Sequence, residues 1–464
     1  MSTAVTKHPG SYRDPAGYLF MHESLWYRQV NKCYATAFGA FIKSGLCEEL
    51  QKGGLLLPHE EVDANFTGDA DWYISLLPEQ LRAVSYPYEW CFSQLKDAAL
   101  LTLHLAQTAM GKGFILKDAS AYNIQFHKGQ CVFIDTLSFA PYNADEPWVA
   151  YQQFCRHFLA PLALMHYLQQ PMQHLLLAYP EGLPLAMVSK MLPFVSKLDL
   201  HTALHLHLHA RYQQRESTQR KIPTATGFSQ PKMQRLLISI KKAIEGYSFK
   251  TSATAWAAYY DEADKRGNYL AHKKNLVEQW VKNINPKAVL DLGCNTGAFS
   301  EILSVHAQQV VSIDADERAV DALYQKVKLK KIANIHPLVC DFSNPSPATG
   351  FQNKERSSLL GRLQVDLVVA LAVVHHLAIG NNIPYILLAE CLAALTPVLL
   401  IEFVPPIDEK AAAMLRQKNL SPTFYNKQSF CTSFEIYFAT VRIEVIADSE
   451  RVLYLLQRKA TPMP

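Results

Sequence analysis

Residues 289–300 have the sequence Val289-Leu290-Asp291-Leu292-Gly293-Cys294-Asn295-Thr296-Gly297-Ala298-Phe299-Ser300. An apolar run ends in an acid, two glycines follow, and a helical pattern begins after the second glycine. This order predicts a strand, a tight turn and a helix. Glycine adopts backbone angles that other residues avoid, and the first amides of the helix point towards the same place. The stretch therefore predicts a ligand-binding turn, of a kind that dinucleotide-binding folds also use.

The composition of the 464 residues is typical of a folded globular chain. Apolar residues make up 49% and charged residues 19%, and the length predicts two or three domains. The polar segment 1–17 lacks the apolar core of a signal peptide, and no run reaches the ~18 apolar residues of a membrane span. Nine cysteines without a C-x-x-C pair indicate free thiols in a reducing cytoplasm rather than disulfides or a zinc site.

Positive charge is concentrated in the middle of the chain. Residues 211–287 contain 15 Lys/Arg and 6 Asp/Glu, although the net charge of the whole chain is only +4. The part 211–250 also contains prolines and glycines and is predicted to be a basic linker. It could bind an anionic partner such as nucleic acid or lipid, or it could be a solvated helical connection. We therefore predict domains at residues 1–210 and 251–464, separated by this linker.

The N-terminal domain is predicted to be α+β. Residues 18–60 have helical periodicity, with Leu25, Tyr27 and Val30 in the expected buried stripe, and a long apolar helix pattern covers residues 90–110. Further along, His201 and His205 have a spacing that can bind a metal on a helix. Because no acid or cysteine ligand accompanies them, ordinary helix packing is the favoured interpretation and no metal is predicted.

A polar loop and a hairpin follow the long helix. The loop contains Asp118 and Asn123, and an apolar strand after the hairpin turn ends at Asp135. This arrangement resembles the catalytic centre of kinase-like folds, in which the first Asp orients the attacking hydroxyl and the other two residues bind magnesium. The glycine-rich phosphate loop and a placed lysine are missing. Three interpretations stay open: a phosphate-transferring domain, a degenerate kinase-like domain that acts as an adaptor, and a plain polar loop.

More strand patterns follow the glycine turn. Residues 310–314 form an apolar strand that ends at Asp314, and a carboxylate there can accept hydrogen bonds from both ribose hydroxyls of a nucleotide. Before the turn, Trp256, Tyr259, Tyr260 and Tyr269 could cover a bound cofactor or pack on the sheet. The other predicted strands cover residues 336–342, 366–372 and 397–403, and then an antiparallel pair at 434–445 and 451–456.

The spacing D-x-G-x-N-x-G and this strand order resemble class I S-adenosylmethionine (SAM) methyltransferases. The resemblance covers residues 256–464 and implies an α/β fold with a Rossmann-like, seven-stranded sheet and SAM as cofactor. In that family the acid after the third strand faces the adenine amino group, and the next residue lines the adenine ring. The residues that this implies for SAM binding are Asp291, Gly293, Asn295, Gly297, Asp314, Asp341, Phe342 and Ala370.

A narrower resemblance extends over the whole chain. Ser85-Tyr86-Pro87-Tyr88-Glu89-Trp90, the loop around Asp118, Asp135-Thr136-Leu137-Ser138-Phe139 and the glycine turn are similar to a bacterial group of methyltransferases that resemble a host-specific nodulation protein. The expected reaction is methyl transfer to oxygen or nitrogen, and this resemblance does not identify the substrate. It leaves the methyl acceptor open among a small molecule, a glycan, a nucleic acid and a protein.

His375 and His376 follow the fourth predicted strand, whose end faces the methyl group in this family. A histidine there could remove a proton from a hydroxyl or amine nucleophile, since its ordinary pKa is ~6.5. It could also cap the next helix or line the cofactor pocket. The two are therefore candidate catalytic residues, and we expect them to behave differently because neighbours on a helix point in different directions.

Overall fold

The structure, a computed structural model, describes residues 5–144, 146–216, 228–250, 267–421 and 425–460. The chain divides into two compact units. The first contains residues 1–250 together with 347–357, and the second contains 251–346 and 358–464. The short segment 347–357 thus belongs to the first unit, although the sequence placed it in the C-terminal domain. In the described part of the chain, no helix has the length and apolar character that crossing a membrane requires.

The first unit begins with a five-stranded antiparallel sheet. The helical prediction for residues 18–60 is wrong at its start, because residues 17–31 form two strands in which Phe20 pairs with Tyr27 and buries it. Leu25, predicted to be buried, shares a strand face with Tyr27, but it is the first residue of the second of these strands, directly after the turn at residues 23–24, and is 39% exposed. The strands are β1 Thr6–Lys7, β2 Gly17–His22, β3 Leu25–Asn31, β4 His59–Val62 and β5 Trp72–Pro78. Helices Ala35–Lys43 and Leu46–Lys52 lie between β3 and β4 in the chain. The order of the strands in the sheet is β1-β2-β3-β5-β4.

The predicted long helix is confirmed as Phe92–Gly111. It leads to two short antiparallel ladders, in which β6 Phe114–Leu116 pairs with β9 Phe139–Pro141, and β7 Ile124–His127 pairs with β8 Gln130–Phe133. A helical region completes the unit. Its helices are Tyr151–Phe154, Ala160–Leu168, Leu175–Ala178, Leu185–Met191, Leu200–Thr202, His209–Glu216 and Gln230–Gly246, with π-helical turns at Cys155–Leu159 and Ala203–Leu208.

The predicted basic linker is partly folded into this unit. Helix Gln230–Gly246 is anchored by Lys96, whose Nζ donates hydrogen bonds to the carbonyl oxygens of Glu245 at 3.0 Å and Tyr247 at 2.7 Å. The apolar face of the helix is buried, because Met233, Leu237 and Ile240 recur at helical spacing. Residues 217–227 lie outside the described part of the chain, as do Trp256, Tyr259 and Tyr260.

The second unit is built on the predicted Rossmann-like sheet of seven strands. The strands are β10 Ala288–Leu292, β11 Gln309–Asp314, β12 Ile335–Val339, β13 Leu367–Ala370, β14 Val398–Phe403, β15 Phe438–Val445 and β16 Val452–Arg458. Their order is β12-β11-β10-β13-β14-β16-β15. The first five are parallel, and β16 and β15 form the predicted antiparallel pair. The first strand of this pair was predicted to start at residue 434, but it starts at Phe438 because residues 427–437 are helical.

The helices of the second unit pack on this sheet. Strand residues such as Val289 and Leu367 share one apolar core with Trp280 of the helix that precedes β10. The strand order changes direction on either side of β10, and in open α/β sheets a ligand crevice forms where this happens, at the carboxyl ends of the strands. The helices are Tyr269–Ile284, Ala298–His306, Glu317–Lys330, Leu359–Arg362, Tyr385–Leu395, Glu409–Gln417 and Lys427–Tyr437, with a π-helical turn at His376–Gly380.

Candidate functional site

A cavity of about 360 Å³ lies in the second unit. It is lined by the turns after β10, β11, β12 and β13, and by one residue from the helix before β10. The predicted residues that line it are Asp291, Gly293, Asn295, Asp314, Asp341, Phe342 and His376. Gly297, Ala370 and His375 are not among the described lining residues, and on the β13 side the lining begins at Leu371.

The two glycines of the first turn have different surroundings. Gly293 has φ +77°, and a Cβ added there would lie 2.3 Å from Cγ2 of Val373. Gly297 has φ +80°, and its added Cβ would lie 2.2 Å from Cδ1 of Leu323, a residue of helix Glu317–Lys330. Both need glycine because a side chain is disfavoured at such angles. Gly293 thus lets the turn after β10 pack closely against Val373 of the turn after β13, whereas Gly297 lets two helices approach.

Asp314 is held at the end of β11 by two backbone amides. Its Oδ2 accepts a hydrogen bond from the Asn295 amide at 2.8 Å, and its Oδ1 accepts one from the Asp316 amide at 2.9 Å. Burial raises the pKa of Asp314, and these amides oppose the rise. Because a carboxylate can accept more than one hydrogen bond per oxygen, the group can still take donors from a ligand in the cavity.

Asp291 lies deeper, inside β10. Its Oδ2 accepts a hydrogen bond of 2.6 Å from the hydroxyl of Ser300, which in turn accepts one from Ser312 at 3.0 Å. Burial raises the pKa of Asp291 to about 7, and the nearby carboxylate of Asp314 adds to the rise. The protonation state of Asp291 therefore changes near neutral pH, and a cation in the cavity would favour its charged form.

Asp341 and Phe342 follow β12 at the outer end of the cavity. Asp341 is exposed, and its Oδ1 accepts hydrogen bonds from the amide and hydroxyl of Ser343 at 2.8 and 2.6 Å. Asn381, which also lines the cavity, donates to the same hydroxyl at 2.9 Å. The turn after β12 is thereby tied to the segment after β13. A carboxylate beside an aromatic ring suits a flat heterocycle that carries an amino group.

The sequence analysis missed Lys273, the one Lys or Arg among the described lining residues. It lies in helix Tyr269–Ile284 and is almost fully buried, and its Nζ forms an ion pair of 2.6 Å with Oε2 of Glu402 at the end of β14. Lys273 occupies a position on the apolar face of this helix, between Leu270 and Leu276. That break in an otherwise apolar stripe was the sequence signal that could have identified it.

Lys273 belongs to a buried network of charges. Glu402 also pairs with Arg451 at 3.4 Å, and the Tyr269 hydroxyl donates to Glu402 at 3.0 Å. Arg451 in turn contacts Asp408 at 2.9 and 3.1 Å. Burial alone raises the pKa of Glu402, but the two cations outweigh burial and hold the pKa below its usual value. The network fixes Lys273 at the cavity wall.

The two predicted catalytic histidines differ in burial and position, because His375 is buried and His376 is half-buried. His376 begins the π-helical turn after β13 and lines the cavity, and burial lowers its pKa to about 4. His375 is 1% exposed, and both of its ring nitrogens lack a hydrogen-bond partner in the described structure. Burial lowers the pKa of His375 well below its usual value. Both rings are therefore neutral at pH 7.

In the first unit, the predicted polar residues of the loop and hairpin lie close together. Asp118 accepts a hydrogen bond from the Ser120 amide at 2.9 Å, and the Asn123 side chain donates to Ser138 at 3.4 Å. Burial raises the pKa of Asp118, and the charge of Asp135 contributes to the rise. Asp135 is ion-paired with Arg28 of β3 at 3.0 Å, and Arg28 also contacts Asp14 at 2.9 Å.

A family model matches part of the second unit, and a known protein matches nearly the whole chain. Residues 290–398 match the family described as methyltransferase domain. Nodulation protein NoeA of Rhizobium meliloti (strain 1021) is 31% identical over 460 residues, which cover 97% of this chain and 95% of that protein.

Solved structures with weaker likeness include N-methyltransferase NodS from Bradyrhizobium japonicum WM9, which is 16% identical and has a TM-score of 0.31. That match covers 41% of this chain and 97% of NodS. The bifunctional kinase-methyltransferase WbdD is 19% identical with a TM-score of 0.30, over 43% of this chain and 42% of that protein.

Proposed function

The chain belongs to the family of nodulation protein NoeA and is a SAM-dependent methyltransferase, and from this premise we propose that the cavity of the second unit is its SAM site. The observation that carries the proposal is the Asp314 carboxylate, which lines the cavity at the end of β11 and is oriented by two backbone amides. Ribose hydroxyls are donors, and a carboxylate so placed can accept from both.

The chemical groups of SAM suit the other lining residues. Asp341 supplies an acceptor for the adenine amino group and Phe342 an apolar surface for the ring. At the amino-acid end, Lys273 supplies the cation for a carboxylate and Asp291 the acceptor for an ammonium group. Gly293 shapes the cavity wall, since a Cβ at that position would meet Val373 of the turn after β13. Asn295 acts indirectly, because its amide orients Asp314.

The bound cofactor supplies an already activated methyl group, so the protein needs mainly to position the acceptor and exclude water. When bound, SAM would supply the methyl group to the acceptor's lone pair and leave as S-adenosylhomocysteine, and the acceptor's proton would pass to solvent. We assign His376 to the acceptor side, because it lines the cavity after β13. A base with a pKa of about 4 removes a proton from a hydroxyl only inefficiently. His376 therefore orients the acceptor by accepting its hydrogen bond, and His375 supports the turn.

The proposal is tested by binding and by transfer. Calorimetry should show one SAM per chain, with S-adenosylhomocysteine competing for the same site. Purified protein incubated with methyl-labelled SAM and extract from a deletion strain should then label one acceptor fraction, with a mass gain of one methyl group. A protein that binds neither compound would refute the assignment of the cavity.

The affinity for SAM is expected to depend on pH through Asp291. Below about pH 7 this carboxyl group is increasingly protonated and cannot pair with the ammonium group, so binding must release a proton. SAM affinity should therefore rise from about pH 5.5 to 7, by up to ~10-fold per pH unit, and the ligand's own amino group stays charged over this range. Calorimetry in buffers of different ionisation enthalpy measures the released proton.

The matched control for this pH dependence is Asp291→Asn. Its amide keeps the shape of the side chain and does not titrate, so its SAM affinity should be lower at pH 7 and nearly constant over the same range. If wild-type affinity is constant as well, or if the Asn variant retains the full pH dependence, Asp291 does not contact the ammonium group.

We further propose that the first unit is kinase-like in topology but has no phosphotransfer activity. The unit contains a five-stranded antiparallel sheet, a long helix and two short ladders, and it brings Asp118, Asn123 and Asp135 together. The Asp135 carboxylate is already paired with Arg28 and accepts a hydrogen bond from Ser138. A paired carboxylate is a poor magnesium ligand, since the ion would have to displace the guanidinium group. We expect the full-length protein to show no magnesium-dependent ATP binding in calorimetry. ATP turnover that Asp135→Ala abolishes would contradict this.

A further inference from the structure

Exposed apolar side chains are concentrated at residues 194–212 of the first unit. Phe194, Leu198, Leu200, Leu204, Leu208 and Tyr212, here called the apolar ridge, are 42–74% exposed. Single exposed apolar residues are common, but six large ones within 19 residues are not. A cluster of exposed apolar residues of this kind marks a site of contact with another apolar body.

The helical segment 200–216 explains why these residues point outwards. Its opposite face carries the histidines, which are held by internal hydrogen bonds: His205 to Tyr151 at 2.8 Å and His207 to Ser196 at 2.8 Å. His201 likewise contacts Ser239 at 2.9 Å. These contacts fix the rotation of the helix about its axis. Residues four apart share a helix face, so Leu200, Leu204, Leu208 and Tyr212 form one outward stripe.

The charge around the ridge is positive. Residues 190–212, which span the ridge, contain three Lys/Arg and one acid. That acid, Asp199, caps the helix by accepting a hydrogen bond of 2.7 Å from the Thr202 amide. Lys190, Lys197 and Arg211 are exposed beside the apolar residues. The ridge is thus an amphipathic surface with apolar side chains flanked by cations, which is the composition of helices that lie in the surface of anionic membranes.

Two other candidate partners, a second copy of the chain and the segment 217–227, fit the apolar ridge less well. A second copy of the chain packed about a twofold axis would bring Lys190, Lys197 and Arg211 of one ridge against the same cations of the other. Residues 217–227, Ser-Thr-Gln-Arg-Lys-Ile-Pro-Thr-Ala-Thr-Gly, contain one large apolar side chain, and they add two further cations. An anionic lipid surface satisfies both the apolar and the charged parts.

We propose that the apolar ridge is a peripheral docking site for an anionic phospholipid membrane. The ridge lies in the plane of the membrane surface, with Phe194, Leu198 and Leu200 among the acyl chains and the flanking cations at the headgroups. Binding requires both parts, because apolar burial and electrostatic attraction to anionic lipids add to each other. The proposal is independent of the SAM site and concerns where the enzyme acts.

The test is sedimentation of the full-length protein with vesicles of equimolar phosphatidylglycerol and phosphatidylcholine. The wild type should bind these vesicles and bind pure phosphatidylcholine at least ~10-fold more weakly, and added salt should release it. The double variant Leu198→Ser, Leu200→Ser should lose at least ~10-fold in partition coefficient. Lys190→Glu with Lys197→Glu should lose a similar factor, which provides a second variant at exposed positions.

The matched control is Leu329→Ser. Leu329 is 84% exposed on a helix of the second unit, so its replacement should leave vesicle binding unchanged. Circular dichroism verifies that each variant folds. No vesicle binding by the wild type, or equal binding by the ridge variant, would overturn the proposal. So would a dimer in light scattering that the ridge variant dissociates without any vesicle binding, since the ridge would then be a contact between copies.

Discussion

Replacing Gly293 with valine is expected to weaken SAM binding by about 100-fold or more. Gly293 has φ +77°, which a β-branched residue adopts only at a large cost, and a Cβ there would lie 2.3 Å from the Val373 side chain. The turn must therefore shift, and with it the Asn295 amide that orients Asp314. Calorimetry with SAM measures the loss.

Replacing Asp314 with alanine should weaken SAM binding by ~1.5–3 kcal/mol in the same assay, because the acceptor for the ribose hydroxyls is removed.

The steric part of the Gly293→Val effect can be separated from the backbone part. Gly293→Ala with Val373→Ala removes the clash but keeps the unfavourable φ, so it should bind SAM better than Gly293→Ala alone. Gly39→Ala is the matched control, because a Cβ at Gly39 would meet nothing within 4 Å. Wild-type affinity in both Gly293→Val and Asp314→Ala would show that SAM binds elsewhere.

Replacing Glu402 with alanine is expected to destabilise the protein by ~3–5 kcal/mol, the usual cost of removing one partner from a buried ion pair. Glu402 is fully buried and is the shared partner of Lys273 and Arg451. Without it, the buried Lys273 ammonium group loses the carboxylate that pairs with it, and Arg451 loses one carboxylate partner while it retains Asp408. In thermal unfolding, the transition of the second unit should move down by roughly 6–20 °C for a unit of this size.

Glu444→Ala is the control for the buried network. Glu444 also pairs with an arginine, Arg442 at 3.3 Å, but both groups are 40% exposed or more. An exposed pair contributes ~0–1 kcal/mol, so this variant should unfold close to the wild type. If Glu402→Ala unfolds at the same temperature as Glu444→Ala, the buried charges do not hold the second unit together. Weakened SAM binding in folded Glu402→Ala would further support the role of Lys273 at the cavity.

The order of local patterns accounts for what could be predicted about the second unit. Each parallel strand is a short apolar run followed by a turn, and the glycines and acids stand at the strand ends, so their placement depends mainly on neighbours in sequence. Local patterns placed the acids and glycines at strand ends, and the resemblance to SAM methyltransferases then implied the binding residues. Asp291, Gly293, Asn295, Asp314, Asp341 and Phe342 lie together in one cavity. Their roles in SAM binding remain predictions for the experiments above.

The first unit shows where sequence patterns are ambiguous. Residues 17–31 contain enough aromatic and apolar residues to match a helical stripe, but antiparallel pairing of β2 with β3 and of β3 with β5 makes them strands. Pairing partners supply hydrogen bonds that no local pattern contains, and tertiary context overrides helix propensity. The same holds for residues 347–357, which Tyr12 and Arg13 bind through Glu355 at 2.5 and 2.9 Å.

By itself, the sequence determined the Rossmann-like sheet, the glycine turn and the acids at strand ends, because these depend on hydrophobic period and on glycine's backbone freedom. Only the tertiary structure decided which charges meet. Lys273, Glu402 and Arg451 are distant in sequence and form one buried network, and Arg28 reaches Asp135 across more than 100 residues. It also decided that His376 lines the cavity while His375 does not, and that the histidine face of helix 200–216 is internal. Such contacts depend on how elements pack and on the burial that results, and no local pattern encodes either.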